Sequence, residues 1–274
     1  MTTFSLDSAR SGIGAQQRNV ELIANNLANV NTTGYKSAQM HFQDVLDASE
    51  ILDVLNGAAP ADGELSASSG VQVAGVTRDL AQGALRPTDR QLDFAIVGTG
   101  YFRISLDNGG TAYTRDGVFG LDGNNNLVTQ SGQFVEPGLD LPIDFSEMQI
   151  GGDGTVTVLR PQTQAELDAL PPEAARDGIR VEVGRIGLTR FVNPGGLESI
   201  GENLFQVTPE SQEPIDGFPG EDGLGEVLSG WLESSNVDIA TEMTSLVLAS
   251  RAYQLNIVAY QTLEQMLTDA NQLV

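Results

Sequence analysis

The chain runs to 274 residues, a length suited to one or two compact bodies, and its 40% hydrophobic content is enough to bury a core. Lys+Arg number 14 against Asp+Glu 37, a formal charge of −23 that repels phosphate backbones and anionic lipid and so excludes nucleic acid as a partner. Zero cysteines exclude disulfides and cysteine-held metals, and a single histidine, His41, excludes a two-histidine metal site.

The N-terminal segment, residues 1–36, reads as a helix. Leu6, Ala9, Ile13, Gln16, Val20, Ile23, Leu27 and Val30 alternate spacings of three and four, which puts them on one helical face. Ser5 or Asp7 is the predicted cap, and Gly34 stands just past the stripe, where helices commonly end. Gly12 and Gly14 weaken it by roughly 1 kcal/mol each relative to alanine. Residues 37–80 read as an extended linker and packing segment, with Val71–Val76 as a strand.

From 81 to 232 the hydrophobic period is two. Leu92–Val97, Tyr101–Leu106, Thr155–Leu159 and Ile179–Val183 are predicted strands. Asn108-Gly109, Asp122-Gly123 and Asp153-Gly154 are predicted hairpin turns, since such pairs tolerate positive φ. Short strands with dense turns predict an antiparallel all-β central body. Residues 160–178 are predicted to be an insertion, a loop or short helix, and the Pro-, Gly- and acid-rich residues 208–225 a surface crossing.

The last segment, 233–274, is the stronger helix. No glycine or proline follows Val237, and Ile239, Met243, Leu246, Ser250, Tyr253, Ile257, Tyr260, Glu264, Leu267, Asn271 and Val274 repeat the four-three spacing. Ser234, Ser235 or Asn236 is the predicted cap, with Asp238 near the positive end of the dipole. A helix of this length predicts a coiled-coil or polymer contact rather than a small core. Charge follows the same division: residues 1–36 carry +1 and 233–274 carry −4, leaving −20 to the middle. Weakly charged ends around a solvated body suit packing at the ends.

Chemical sites are weakly supported. Asp122-Gly123-Asn124-Asn125-Asn126 starts like a calcium loop, but the sixth and twelfth positions are Leu127 and Gln133, so a hairpin turn is the better reading. Gly98-Thr99-Gly100 precedes a strand and offers no helix N-terminus to a phosphate. No serine or carboxylate is tied to His41 by spacing, and Asn31-Thr32-Thr33 matches a glycosylation sequon at a helix end where such residues are ordinary. No catalytic residue, cofactor or metal site is nominated, and no enzyme activity is expected. No apolar run approaches the roughly 18 residues of a membrane span, so no membrane insertion is expected, and the start lacks a basic and apolar secretory leader.

Ile23-Ala24-Asn25-Asn26-Leu27-Ala28-Asn29-Val30-Asn31-Thr32-Thr33-Gly34-Tyr35-Lys36 resembles the N-terminal signature of the bacterial flagellar rod and hook proteins. Glu233-Ser234-Ser235-Asn236-Val237-Asp238, followed by Arg251-Ala252-Tyr253-Gln254-Leu255-Asn256, resembles the C-terminal one. Gln91–Ile96, Tyr113–Gly117, Asn193–Leu197 and Gly201–Phe205 are similar to the distal rod branch of that family, as are Ala15-Gln16-Gln17 and Arg251-Ala252-Tyr253. The resemblance implies a tubular axial polymer, with the terminal helices as axial layers pairing in a coiled-coil-like stalk. It implies as partners other copies of the chain, the proximal rod proteins, the hook protein, the surrounding P and L ring proteins and the flagellar type III export apparatus. The implied place is the periplasm-spanning rod of the basal body, reached without a cleaved signal. Sibling axial proteins, proximal rod or hook, are the nearest alternatives; a β-domain cell-wall enzyme or carbohydrate-binding protein is the more distant one. The expected assembly residues are Leu6, Ala9, Ile13, Val20, Ile23, Leu27, Val30, Ile239, Met243, Leu246, Tyr253, Ile257, Tyr260 and Leu267. In the free subunit the two ends are expected to be largely disordered, because isolated marginal helices do not offset their ordering entropy.

Overall fold

A computed structural model describes residues 2–45, 70–139, 141–142, 145, 147–161 and 179–272. They divide into a helical unit, Met1–Val30, Ser37–Asp79 and Val237–Val274, and a β body, Asn31–Lys36 with Leu80–Asn236.

The helical unit holds α1 (Thr2–Ala28), β1 (Ala38–Val45), β2 (Gly70–Arg78) and α2 (Ile239–Gln272). The first helix starts at Thr2, so Ser5 and Asp7 lie inside it rather than capping it, and Val30 falls beyond its end. Four asparagines from Asn25 to Asn31 explain the early stop, because their side chains compete for backbone partners: Asn29 Nδ2 donates to the Asn25 carbonyl at 2.9 Å. At α2 the cap is Asp238 itself. Its Oδ1 accepts from the Thr241 N–H at 2.7 Å and its carbonyl from the Glu242 N–H at 3.0 Å, so the predicted Ser234, Ser235 and Asn236 stand too early.

The described part of 37–80 is a paired ribbon rather than an extended linker. β1 and β2 run antiparallel from Ala38 opposite Arg78 to Val45 opposite Gly70, with an irregularity at His41/Phe42. Both α1 and α2 form within the single chain. The reason is that α1 packs on α2 and on the ribbon, so neither helix has to stand alone in water.

The β body contains β3 (Leu85–Pro87), β4 (Phe94–Val97), β5 (Phe102–Ser105), β6 (Thr111–Thr114), β7 (Phe119–Leu121), β8 (Leu127–Thr129), β9 (Phe134–Glu136), β10 (Glu147–Ile150) and β11 (Thr155–Arg160). It continues with β12 (Ile179–Arg185), β13 (Leu188–Arg190), β14 (Glu198–Gly201), β15 (Leu204–Gln206), β16 (Ile215–Gly217), β17 (Glu226–Ser229) and β18 (Trp231–Glu233). Its largest sheet has the order β14-β15-β6-β5-β9-β8-β7. Pairing is antiparallel, as the period-two pattern predicts.

The turns follow their sequence chemistry, with one shift. Gly109 (φ +78) and Gly154 (φ +81) close the β5–β6 and β10–β11 hairpins. In the β7–β8 turn the positive φ falls on Asn125 (+61), two residues past the predicted Gly123, while Asp122 Oδ1 accepts from the Asn124 and Asn126 N–H groups at 2.8 Å each. That carboxylate is used by the turn's own backbone.

Phe94, Ile96, Phe102, Ile104, Phe119, Val156, Val158, Leu188 and Val227 form the centre of the core. A second cluster joins Tyr101, Tyr113, Phe191 and Phe205, with Tyr113 and Phe191 edge to face at 4.8 Å. Residues 208–225 do more than cross the surface: Leu224 enters the core, Ser211 is fully buried, and β16 pairs with β13. Arg160 pairs with Ile179, so the predicted insertion leaves and re-enters at one point; its residues 162–178 lie outside the described ones.

Candidate assembly surface

The helical unit carries the residues singled out for assembly. Ile23 is buried; Leu6, Ala9, Ile13, Val20, Leu27, Val30, Leu246, Tyr253, Ile257, Tyr260 and Leu267 are half-buried; Ile239 and Met243 are exposed. The seam that α1 and α2 bury in each other runs elsewhere. On α1 it passes through Gly12, Ala15 and Asn26, and on α2 through Glu242, Ala249 and Asn256. In each helix this seam lies about one residue, roughly 100°, around from the predicted stripe.

Small and polar residues make the seam possible. A Cβ at Gly12 would sit 3.1 Å from Asn256 Nδ2, so the backbone of α1 comes close to α2 there. Asn26, only 1% exposed, ties three elements together. Its Nδ2 donates to the Ala38 carbonyl at 2.9 Å and to Glu242 Oε1 at 3.2 Å, and its Oδ1 accepts from the Ala38 N–H at 3.0 Å. Ser11 Oγ accepts from the Val71 N–H at 3.1 Å and fastens α1 to β2. Two open grooves of about 500 and 550 Å³ border the seam, the first lined by Gln16, Asn19, Asn26, Met40, Glu242 and Leu248.

Bulky apolar residues are left outside. Around the half of α2 turned away from Ala249, from Leu248 at the lip of the first groove to Ile239 on the other side, the exposure of Ile239, Met243, Val247, Leu248, Leu255, Val258 and Met266 runs from 47% at Ile239 to 70% at Leu255. Single exposed apolar side chains are ordinary, but a row along one helix face marks a contact surface. Val247, Leu248, Leu255, Val258 and Met266 escaped the sequence reading because the template of alternate threes and fours selects one stripe, and this helix has two.

The β body has its own centre of polar contacts. Glu233, Lys36 and Arg115 are all buried, and Glu233 forms ion pairs with both cations, the one to Arg115 Nη1 at 3.1 Å. Near them Asp116 accepts from the Thr33 hydroxyl at 2.6 Å. Burial pushes the Asp116 carboxyl above the ordinary aspartate value, against the Thr33 and Val118 hydrogen bonds and with the help of the Asp93 charge. Lys36 and Glu233 belong to the two terminal signatures and Arg115 to a middle one, yet spacing gave no sign that they meet.

Other candidate chemistry stays apart. His41 is exposed on β1, with Nε2 2.7 Å from Thr77 Oγ1 and no carboxylate in that contact. Among the described residues no group of three or more His, Asp or Glu side chains is placed to hold a metal, and no helix is long and apolar enough to cross a membrane.

Three family models match the chain: flagella basal body rod protein over residues 6–36, the flagellar hook protein FlgE/F/G D1 domain over 95–158, and the flagellar basal body rod FlgEFG protein C-terminal region over 228–273. Together with a fold of two terminal helices and an antiparallel β body, they place it in the class of flagellar rod and hook proteins. Within that class the flagellar basal-body rod protein FlgG of Caulobacter vibrioides is 40% identical over 275 residues, covering 98% of each chain. FlgG of Buchnera aphidicola is 38% identical over 272 residues, covering 98% of this chain and 99% of its own. The FlgF rod protein of the same Caulobacter is 31% identical over 243 residues, with 87% and 84% covered. The chain belongs to the FlgG family of flagellar basal-body rod proteins. A solved structure, the Helicobacter pylori flagellar hook protein FlgE2, is 16% identical and matches 73% of this chain and 34% of its own, at a TM-score of 0.23 that supports no shared arrangement.

Proposed function

We propose that this protein is a structural, non-enzymatic subunit of the flagellar distal rod, which assembles with copies of itself into a tubular shaft carrying torque toward the hook. The observation that carries the mechanism is the row of exposed apolar side chains on α2, set opposite a seam of small and polar residues. Covering such a row in a neighbouring copy removes apolar surface from water at about 25 cal/mol per Å². Repeated along a polymer, those contacts make stiffness a property of many packed helices, with α1 and α2 pairing in a coiled-coil-like stalk. The stripe residues from Leu6 to Val30 and from Ile239 to Leu267 carry assembly together with the newly seen Val247, Leu255, Val258 and Met266. Proximal rod, hook, ring and export components are its neighbours in the basal body, and the acidic β body faces them through solvent.

Leu255→Asp tests this. The substitution lies on the most exposed position of the row, so the free chain keeps its helical circular dichroism while polymerisation and motility are lost. Wild-type motility in that variant overturns the assembly role. Labelled chain absent from the rod in isolated basal bodies overturns the location.

A further inference from the structure

The chain has one lysine, and it is buried. The Lys36 side chain is 1% exposed, as is that of Glu233, with which it forms an ion pair, and its Nζ also donates to the Ala81 carbonyl at 2.8 Å. A lone lysine on a chain of −23 charge would ordinarily sit in water as a solubilising group. Burial of an ammonium is tolerated only with a close counter-charge and further acceptors, so this residue's position depends on its partners.

Glu233 is where those partners converge. Oε1 accepts from the Gly83 N–H at 2.9 Å as well as from Lys36, and Oε2 accepts from Arg115 Nη1 at 3.1 Å. Arg115 Nη2 donates to the Gly98 carbonyl at 2.7 Å, and its guanidinium lies 5.3 Å from the Tyr101 ring centroid. The main chain repeats the connection: the Gly34 N–H donates to the Glu233 carbonyl at 2.8 Å and the Ser234 N–H to the Ala84 carbonyl at 2.9 Å. At Gly34 the fit is close. Its φ is +66, and a Cβ there would lie 2.7 Å from backbone atoms of Arg115 and Asp116.

We infer that Glu233 is a latch: it holds the strap Asn31–Lys36 of the N-terminal signature down on the β body, and the strap closes only once the C-terminal signature has been docked. Two buried cations share the one carboxylate. Arg115 keeps the Gly98 carbonyl and the Tyr101 ring without it, whereas Lys36, whose side chain is 1% exposed, loses the carboxylate that balances its buried ammonium and moves to water. The Lys36 end of the strap then opens, while its Thr33 and Gly34 hydrogen bonds and the core around Phe102 and Ile104 stay in place. Residues more than 190 positions apart thus become buried together or not at all.

The single side-chain amine makes the state of the latch directly measurable. The full chain is treated with an amine-acylating succinimidyl ester, and modification at Lys36 is followed by peptide mass spectrometry, alongside hydrogen exchange of the β5 amides. Lys36 of the parent is expected to resist acylation, and Glu233→Gln to raise its rate by about tenfold or more with β5 protection unchanged. An unchanged rate in Glu233→Gln with β5 intact overturns the latch. Should Glu233→Gln lose β5 protection, Glu233→Asp decides, since it keeps the charge but draws it back by one methylene: a faster rate supports the latch and the parent rate overturns it. The readout is taken on the unassembled chain, so failure here leaves the assembly proposal standing, and the reverse.

Discussion

Removing the Asn26 side chain isolates what holds the helical unit together. Asn26→Ala deletes the hydrogen bonds to both backbone groups of Ala38 and the contact to Glu242. Ala38 is 7% exposed, so its N–H and C=O would each lose a partner at a cost of about 1–3 kcal/mol when left buried. The groove of about 500 Å³ lined by Asn26 and Ala38 admits water to both groups, which favours the low end of that range. The expected loss is therefore about 2–3 kcal/mol, which lowers the midpoint of the helix signal by roughly 5–10 °C. Glu242→Gln is the control. Its amide oxygen still accepts from Asn26 and the site is half-exposed, so a change of about 0.5 kcal/mol or less is expected. Thermal melting followed by circular dichroism on the dilute chain measures both. An Asn26→Ala midpoint equal to that of the parent refutes the account of the seam; a parent without helix signal returns the ends to disorder.

Two further expectations follow from single sites. Gly14 is exposed on α1 with no atom within 4 Å of an added Cβ and no positive φ, so Gly14→Ala should stabilise the helix by about 1 kcal/mol, read from the same melts. Asp116 titrates above the ordinary aspartate value of 3.8 because burial disfavours its charge. The folded chain then holds that proton longer than the unfolded one, so the stability Asp116 contributes is full below 3.8 and is lost as pH rises through its folded pKa. The difference in urea midpoint between the parent and Asp116→Asn should therefore shift against the parent as pH rises across that interval, since the other carboxylates are common to both chains. Equal slopes in the two chains would count against this reading.

Much was legible from residues alone because the relevant signals are local. The presence of a helix at each end follows from periodicity and, for the second, from the absence of glycine and proline after Val237, though their ends fall elsewhere than the predicted caps. Three hairpins lie where Asn-Gly and Asp-Gly pairs place them, two of them turning on the predicted glycine, and β2, β4, β5, β11 and β12 follow from alternation. The strand β1 was not legible. Ala-Gln-Met-His-Phe-Gln-Asp-Val carries no strong alternation, and it is a strand because β2 pairs with it.

The sequence by itself determined the two terminal helices, the antiparallel β character of the middle and which ends carry apolar stripes, since periodicity and turn chemistry act between near neighbours. The tertiary structure decided which face of each helix turns inward, because a helix bearing two faces fit for burial gives the same periodicity whichever one its own chain covers. It also decided that Asn26 would bridge three elements and that the one lysine would find Glu233, for a buried polar group is defined by a partner far away in the chain, and distance along the sequence carries no trace of it.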